Sequence, residues 1–458
     1  MNVIDCSVSP TSALGEPISA LLESVCASLE RFQNSGDHNA GHLEQALKKS
    51  AGNFVAAVLQ KALQAKADLI PPKCPRCGAK LTKGQKLTRT INVGVGEIEL
   101  TRDRGFCPKC QAWFCPADEA LGIQSGHSPC VQELAALFAS KMPLADAAAV
   151  MEIATGVKLP VTTLDRVAKQ AAKKAQTKRR ELDEQACAPG GPAPASAPPQ
   201  TLIIQVDAWN IRERDQWGQS QELRLGGMEP ERWHWVYTGT VFALEHRLSK
   251  EGRAMISSRG FVATRLGIDE LREQLRAEAM RRGLGQALCV ILMGDGAPWI
   301  WRLSDDRFPE ARQRIDFYHV EEHLWAVAHE LYPEPDQAQT WMQKIKSQLR
   351  EGEALKIIAQ LEEALVELPQ DSRTGREIKY LKEHQERMDY GRARERGEPI
   401  GSGAIEATCR QYQCRFKRPG QFWSKTGDEG LLCLETFWRN GRWKLLFPHS
   451  RGFDSSKN

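Results

Sequence analysis

The 458-residue sequence predicts a multidomain chain that joins α+β and α/β parts. Three observations carry that expectation. Two Cys-x-x-Cys pairs sit among short β-type runs, a Pro/Ala/Gly tract with no large apolar side chain interrupts the chain, and strand-like apolar runs alternate with helical spacing beyond it. A hydrophobic content of 41% gives each of two or three domains enough apolar surface for a core, which excludes a disordered chain.

Residues 1–70 read as an N-terminal helical region. Leu21, Leu22, Val25 and Leu29, then Phe54, Val55, Val58, Leu59 and Leu63, recur at helical spacing, as packing or dimerisation helices do. Residues 71–117 read as a zinc ribbon. Cys74-Pro-Arg-Cys77-Gly78 and Cys107-Pro-Lys-Cys110 flank β-type runs at 88–92 and 97–102, with Gly94 and Gly96 between them. A turn with two intervening residues aims both of its sulfurs at one tetrahedral ion, so Cys74, Cys77, Cys107 and Cys110 are expected to hold one structural Zn²⁺ with no position left for water. Cys115 is an alternative ligand, and His127 and Cys130 read as incidental.

Residues 128–185 turn helical, and within them 144–166 has the layout of a helix-turn-helix. A first helix from Leu144, a turn at Thr155-Gly-Val and a second helix from Val161 would present Thr162, Thr163 and Arg166 to a DNA groove and Lys169, Lys173 and Lys174 to phosphates. An ordinary helical hairpin with a solvated charged face is the alternative. The net charge is only +4, but Arg166, Lys169, Lys173, Lys174, Lys178, Arg179 and Arg180 cluster in this region, which points to a polyanionic partner. The tract 186–200 reads as a linker and the main domain boundary.

Beyond it, 201–320 shows strand-like runs at 202–206, 236–244 and 289–293 with a helix over 268–282, and 321–396 is helical throughout. A helix-rich segment, 397–447, and a tail, 448–458, complete the chain. Asp207 ends one apolar strand and Asp295 follows another, so two such strands side by side would place both carboxylates at one end of a sheet. Hard divalent cations that drive phosphodiester chemistry bind such sets, two ions about 4 Å apart. Glu406 is the candidate third acid, because Gly401-Ser-Gly403 breaks the chain just before it and a helix follows, with its dipole favouring an anion in the first turn. Asp305, Asp306 and Glu435 compete for that role. Arg410, Arg415, Lys417, Arg418 and Lys425 follow Glu406 without an intervening acid and read as a phosphate-gripping surface. Trp299, Trp301, Phe422 and Trp423 could stack on unpaired bases, although packing against the sheet is the commoner fate of such residues. His323 and Trp325 read as core or helix-surface residues.

The order of Cys-Pro-x-Cys-Gly, Cys-Pro-x-Cys, Pro116-Ala-Asp-Glu-Ala-Leu-Gly122, helix-turn-helix, Val206-Asp-Ala-Trp209, Gly294-Asp-Gly296, Asp316-Phe-Tyr-His319 and Gly401-Ser-Gly-Ala-Ile-Glu406 resembles the bacterial insertion-sequence DDE transposases of the Kra type, relatives of the Mutator superfamily. The resemblance runs from about residue 71 onward. It implies an RNase H-like catalytic domain with an all-helical insertion ahead of Glu406. It also implies catalysis by Asp207, Asp295 and Glu406 with two Mg²⁺ (or Mn²⁺), and secondary, positional or DNA-contacting roles for Asp316 and His319. The common Asp-Gly context of the first acid is replaced here by Asp207-Ala-Trp.

The expected function is metal-dependent cleavage and strand transfer at the ends of an insertion sequence. The alternatives are an RNase H-like nuclease or resolvase and a DNA-binding regulator that has lost catalysis. Partners would be double-stranded DNA, as terminal inverted repeats and target, and further copies of this chain in a homodimer or larger complex. No Lys or Arg precedes Arg31 and no apolar run could span a bilayer, so a cytoplasmic, nucleoid-associated protein without membrane contact is expected.

Overall fold

The computed structural model describes residues 15–36, 38–190, 199–214, 216–248, 254–365, 372–424 and 427–451. Most of the predicted linker, Lys425 and the end of the predicted tail lie outside the described residues. The chain divides into two compact units, one of residues 1–171 with 447–451 and one of 172–446 with 452–458.

The first unit is built on a ribbon. Helices α1 (Gly15–Asn34) and α2 (Ala40–Asp68) precede strands β1 (Thr82–Val93), β2 (Gly96–Cys107) and β3 (Ala112–Phe114), which form an antiparallel sheet in that order. Alternate residues Ile91, Val93, Ile98 and Leu100 turn inward and are covered by Leu59, Leu63 and Ala67 of α2. Strand β3 pairs only with 105–107, which leaves the middle of β2 an open edge. Gln60 and Gln64 of α2 close it: Gln60 Oε1 accepts from Glu99 N at 3.0 Å and Gln64 Oε1 from Thr101 N at 2.9 Å. After α3 (Pro116–Ala120) come α4 (Pro129–Lys141), capped by Ser128, and α5 (Leu144–Thr155). Gly156, at φ 75°, ends α5 in the left-handed conformation that suits glycine, and α6 (Val161–Cys187) follows.

The unit boundary falls after Ala171, inside α6 and upstream of the Pro/Ala/Gly tract. The second half of α6 belongs to the larger unit because its side chains are tied there. Ala172 lies against Gly430, and Arg179 bonds Asp183 at 3.1 Å and Glu270 at 2.5 Å.

The larger unit centres on a five-stranded sheet. Its elements are β4 (Thr201–Glu213), α7 (Ser220–Leu225), β5 (Arg232–Leu248), β6 (Ala254–Thr264), α8 (Ile268–Arg281), β7 (Cys289–Gly294), α9 (Pro298–Arg307) and β8 (Arg312–Ile315). The strands lie in the order β6-β5-β4-β7-β8. β5 runs antiparallel to both of its neighbours, whereas β4, β7 and β8 run parallel. One face packs Leu202, Ile204 and Val206 on Leu271 and Leu275 of α8; the other carries Ile203, Phe242, Ile291 and Met293. Helices α10 (Phe317–Leu331), α11 (Pro335–Arg350), α12 (Ala354–Leu365), α13 (Arg373–Glu383) and α14 (Tyr390–Glu395) then intervene before α15 (Gly403–Phe416) and α16 (Asp428–Arg439). Residues 321–396, expected to be helical throughout, lie in this run of helices, with 366–371 outside the described residues. No helix among the described residues is long and apolar enough to cross a membrane.

Candidate active site and metal centre

The four predicted cysteines converge. The turn after Cys74 closes with Gly78 N donating to Cys74 O at 2.8 Å, and Gly78 takes a φ of 73°. Cys107 ends β2, and Cys110 N donates to Cys107 Sγ at 3.4 Å. The sulfurs of Cys77 and Cys107 are 3.5 Å apart and those of Cys74 and Cys110 3.9 Å. A tetrahedron with Zn–S bonds of about 2.3 Å has an S···S edge of about 3.8 Å, so the spacing suits zinc. The thiols crowd one another: the Cys110 thiol is pushed up to about 12, first by its hydrogen bond with Cys77 and then by burial. A dication relieves that crowding by replacing the shared protons. Four soft sulfur donors around one point could hold a structural zinc ion. Cys115 stands apart, with its thiol on Asp103 O at 3.2 Å and Arg102 Nε 3.3 Å from its sulfur.

The two predicted aspartates come level in the larger sheet, where β7 ends. Parallel register pairs Gln205 with Met293, so Asp207 and Asp295 stand level two residues further on. Asp295 lies just past the end of β7, as predicted, but Asp207 does not end its strand: β4 runs on to Glu213, paired with β5, because Trp209 and Ile211 continue its buried alternation beyond the apolar run. Both point to the face that carries Ile203 and Ile291, since side chains alternate. Asp207 Oδ1 accepts from Ala208 N at 2.6 Å and Asp295 Oδ1 from Ala297 N at 3.0 Å. Burial raises the Asp207 carboxyl above its ordinary range; the Asp295 charge adds to that rise, and hydrogen bonds from Ala208 and the Cys409 thiol oppose it. Gly296, at φ 98°, is held against the Tyr380 hydroxyl, which donates to Asp295 O at 2.9 Å, so a Cβ there would clash.

Glu406 lies in the first turn of α15 as predicted. Two residues that sequence reasoning missed hold that helix on the sheet. Gln205, buried on β4, accepts from Ile405 N at 3.0 Å and donates to Gly401 O at 3.3 Å. Arg259 of β6 donates to Ala404 O and to Thr408 Oγ1. Gln205 was visible as the one polar residue in Leu202-Ile-Ile-Gln-Val206. Cys409, one turn beyond Glu406, is buried and feels the charges of both Asp207 and Glu406. Among the described residues the four cysteines are the one compact metal-ligand set, and Asp207, Asp295 and Glu406 do not form a second. Glu406 Oε2 instead faces Arg410 at 3.8 Å.

Asp316 is buried, and its carboxylate caps α10 through His319 N at 3.0 Å and also accepts from Ser402 N. It therefore binds the Gly401-Ser-Gly403 turn to the end of β8, a positional role with no exposed surface for DNA. His319 Nε2 lies 3.9 Å from Asp295 Oδ2 and its Nδ1 3.3 Å from Glu322. The competitors for the third acid fall away. Glu435 is buried with Arg439 at 2.8 Å, Asp305 accepts from Gln313, and Asp306 lies 3.4 Å from Arg307.

The predicted DNA-contacting residues divide. Thr162, Arg166, Lys169, Lys173, Arg410, Lys417 and Arg418 are exposed and Thr163 is half-buried. Lys174 is exposed too, but its ammonium donates to Leu446 O at 2.8 Å. Arg415 corrects the sequence reading. It is 5% exposed and stacks 4.9 Å over the Trp423 ring, and burial pushes its guanidinium down to about 10. Trp301 and Trp423 are buried as well.

A family model described as "Uncharacterised protein family (UPF0236)" matches residues 270–444. The chain is similar to that family. The matched stretch holds Asp295, Asp316, His319 and Glu406 and begins after Asp207. A curated relative, "UPF0236 protein in vanSb 3'region" of Streptococcus gallolyticus, is 23% identical over 381 residues, 80% of this chain and 76% of its own length.

Proposed function

We propose that this chain is a DDE-type transposase that cleaves DNA at the ends of an insertion sequence and joins the freed strand to a target. The observation that carries the reading is that Asp207 of β4 and Asp295, just past β7, stand level on the sheet face where Gln205 holds the first turn of α15. Support also comes from the sheet, whose strand order and single antiparallel strand are what an RNase H-like domain requires, and from helices intervening before Glu406. The donor set suits magnesium: three hard carboxylates, one of them raised by burial and by the charge beside it.

When bound, magnesium would supply the positive charge that activates the attacking oxygen and stabilises the leaving one. The chain's own residues do the rest. Asp207 and Asp295 hold their carboxylates level, Gln205 and Arg259 fix the axis of α15, and Glu406 approaches from that helix when its contact with Arg410 opens. Arg410 is then free to meet a phosphate.

The test is cleavage of a plasmid carrying the inverted repeats that should flank the gene. Asp207→Ala, Asp295→Ala and Glu406→Ala should each abolish Mg²⁺-dependent nicking while DNA affinity stays within about tenfold, because most of the grip comes from basic groups elsewhere. Unchanged nicking in all three variants would overturn the reading.

A further inference from the structure

We infer that the outer end of the β4–β5 ribbon is a binding platform for unpaired nucleotides. The protein leaves large aromatic rings in water there: Trp217, Trp233 and Trp235 are 55%, 59% and 52% exposed. A tryptophan side chain is usually largely buried, so three on one small surface are a cost to folding that a ligand would offset.

The register explains how they come to share a surface. Arg212 pairs with Trp233, Asn210 with Trp235 and Ala208 with Tyr237, so these residues occupy one face of the ribbon, opposite to that of Asp207. Trp423 meets Glu213 in a single parallel bridge; Trp423 is buried while Phe422 faces Arg212 and Arg214. Cations alternate with the rings. The Arg212 guanidinium lies 5.9 Å from the Trp233 centroid and 4.8 Å from Phe422, Arg214 lies 5.6 Å from Trp217, and Lys417 Nζ lies 5.9 Å from Trp233. Arg214 has a carboxylate partner, Glu231. Among the described residues Arg212 and Lys417 have none.

That pattern selects the occupant. Alternate residues of a strand are about 6.8 Å apart, twice the roughly 3.4 Å rise of a stacked nucleic-acid strand, so the backbone spacing of Trp233 and Trp235 matches rings that take one base between them. A duplex hides its base faces in its own stack, whereas an unpaired strand offers them to aromatics and its phosphates to Arg212 and Lys417. One helix links the platform to the candidate site: α15 carries Glu406 in its first turn and ends at Lys417, whose Nζ also donates to Asn210 Oδ1 at 3.1 Å. The inference needs no catalysis, so it stands or falls apart from the proposed activity.

The experiment titrates a short oligothymidylate, and separately a duplex of the same length, into full-length Asp207→Ala protein without added divalent metal, following tryptophan fluorescence. The single strand should quench it. Trp233→Ala and Trp235→Ala should each weaken single-strand binding on the order of tenfold, with duplex binding unchanged and Trp233→Phe retaining most of the affinity. Lys417→Ala should flatten the salt dependence. Equal single-strand affinity in the parent and the Trp233→Ala/Trp235→Ala double variant would overturn the inference. So would a double variant whose sole change, by sedimentation, is weaker self-association, since that would make the surface a contact between copies.

Discussion

Gln205 shows how much of the candidate site rests on single side chains outside the acid set. Its amide satisfies Ile405 N and Gly401 O at once, with Gln205 and Ile405 themselves buried. Gln205→Leu keeps the volume and strands both partners, so it should cost about 1–3 kcal/mol of stability, read as a lower thermal midpoint. Nicking should fall while DNA affinity holds, because Glu406 loses its anchor; full activity in a stably folded Gln205→Leu would mean that α15 is held by other contacts. At the ribbon, Cys107→Ser removes one of four donors, and elemental analysis should find the roughly one zinc per chain lost, together with protease resistance of residues 71–117. Zinc-free parent protein purified without chelator would refute the clip. The cysteines were legible because a tetrahedral ion needs ligands at fixed spacing, whereas Gln205 was missed because its partners lie 196 and 200 residues away in the chain. Arg415 was misread because charge was counted along the chain rather than around it. Nine residues from Glu406 at about 100° each puts it on the opposite side of α15, against Trp423.

Elements carry their own consequences, and the start of α16 is the clearest. Asp428 and Glu429 occupy its first turn, where Arg265 of the β6–α8 connection lies 2.9 Å from Asp428 and donates its backbone N–H to Glu429 at 2.8 Å. Arg265 also bonds Glu213 of β4, so one guanidinium faces an excess of buried carboxylate. Burial lifts Asp428 from 3.8 to about 7 and Glu429 from 4.5 to about 7, outweighing the pull of Arg265 on each. Between about pH 4 and 7 the folded protein therefore binds more protons than the unfolded chain, and stability falls as pH rises, by on the order of 1 kcal/mol per pH unit for each group, levelling off above about 7. Glu278 works in another window. Burial opposes its charge, but Arg442, Arg282 and Arg281 hold it at about 2, so its contribution is lost only in acid. Thermal midpoints should be higher at pH 5.5 than at pH 8, and Glu429→Gln should shrink the difference; an equal difference in that variant would place the protons elsewhere. The sheet itself was only partly legible. Its apolar strands β4 and β7 announced themselves, but β8 reads Arg-Gln-Arg-Ile because Arg312 and Arg314 are paired with Glu398, and no alternation of apolar residues marks such a strand.

For the whole molecule, the organising element is α6, which ends within two residues of the helical stretch expected to reach 185 but belongs to both units, which its sequence did not show. Contacts of its second half, not its composition, assign that half to the larger unit, since Arg179 and Asp183 pair with Glu270 and Arg281. The Pro/Ala/Gly tract was the stronger compositional signal, yet the units part upstream of it. Under the proposed function, the exposed residues of its first half would have separable roles on DNA. Arg166 lies in the second turn, and Lys173 two turns further on, both solvent-facing. If the first turns of α6 enter a major groove, Arg166→Ala removes a base contact and should reduce discrimination between terminal repeat and random DNA by ~1–3 kcal/mol. Lys173→Ala should instead weaken both DNAs alike and lower the slope of log affinity against log salt by about 1, the signature of one lost phosphate contact. Competition binding at two salt concentrations separates the cases. Equal losses on repeat and random DNA in both variants would make this part of α6 a phosphate-binding surface, and sequence reading would then have to come from the ribbon or the N-terminal helices.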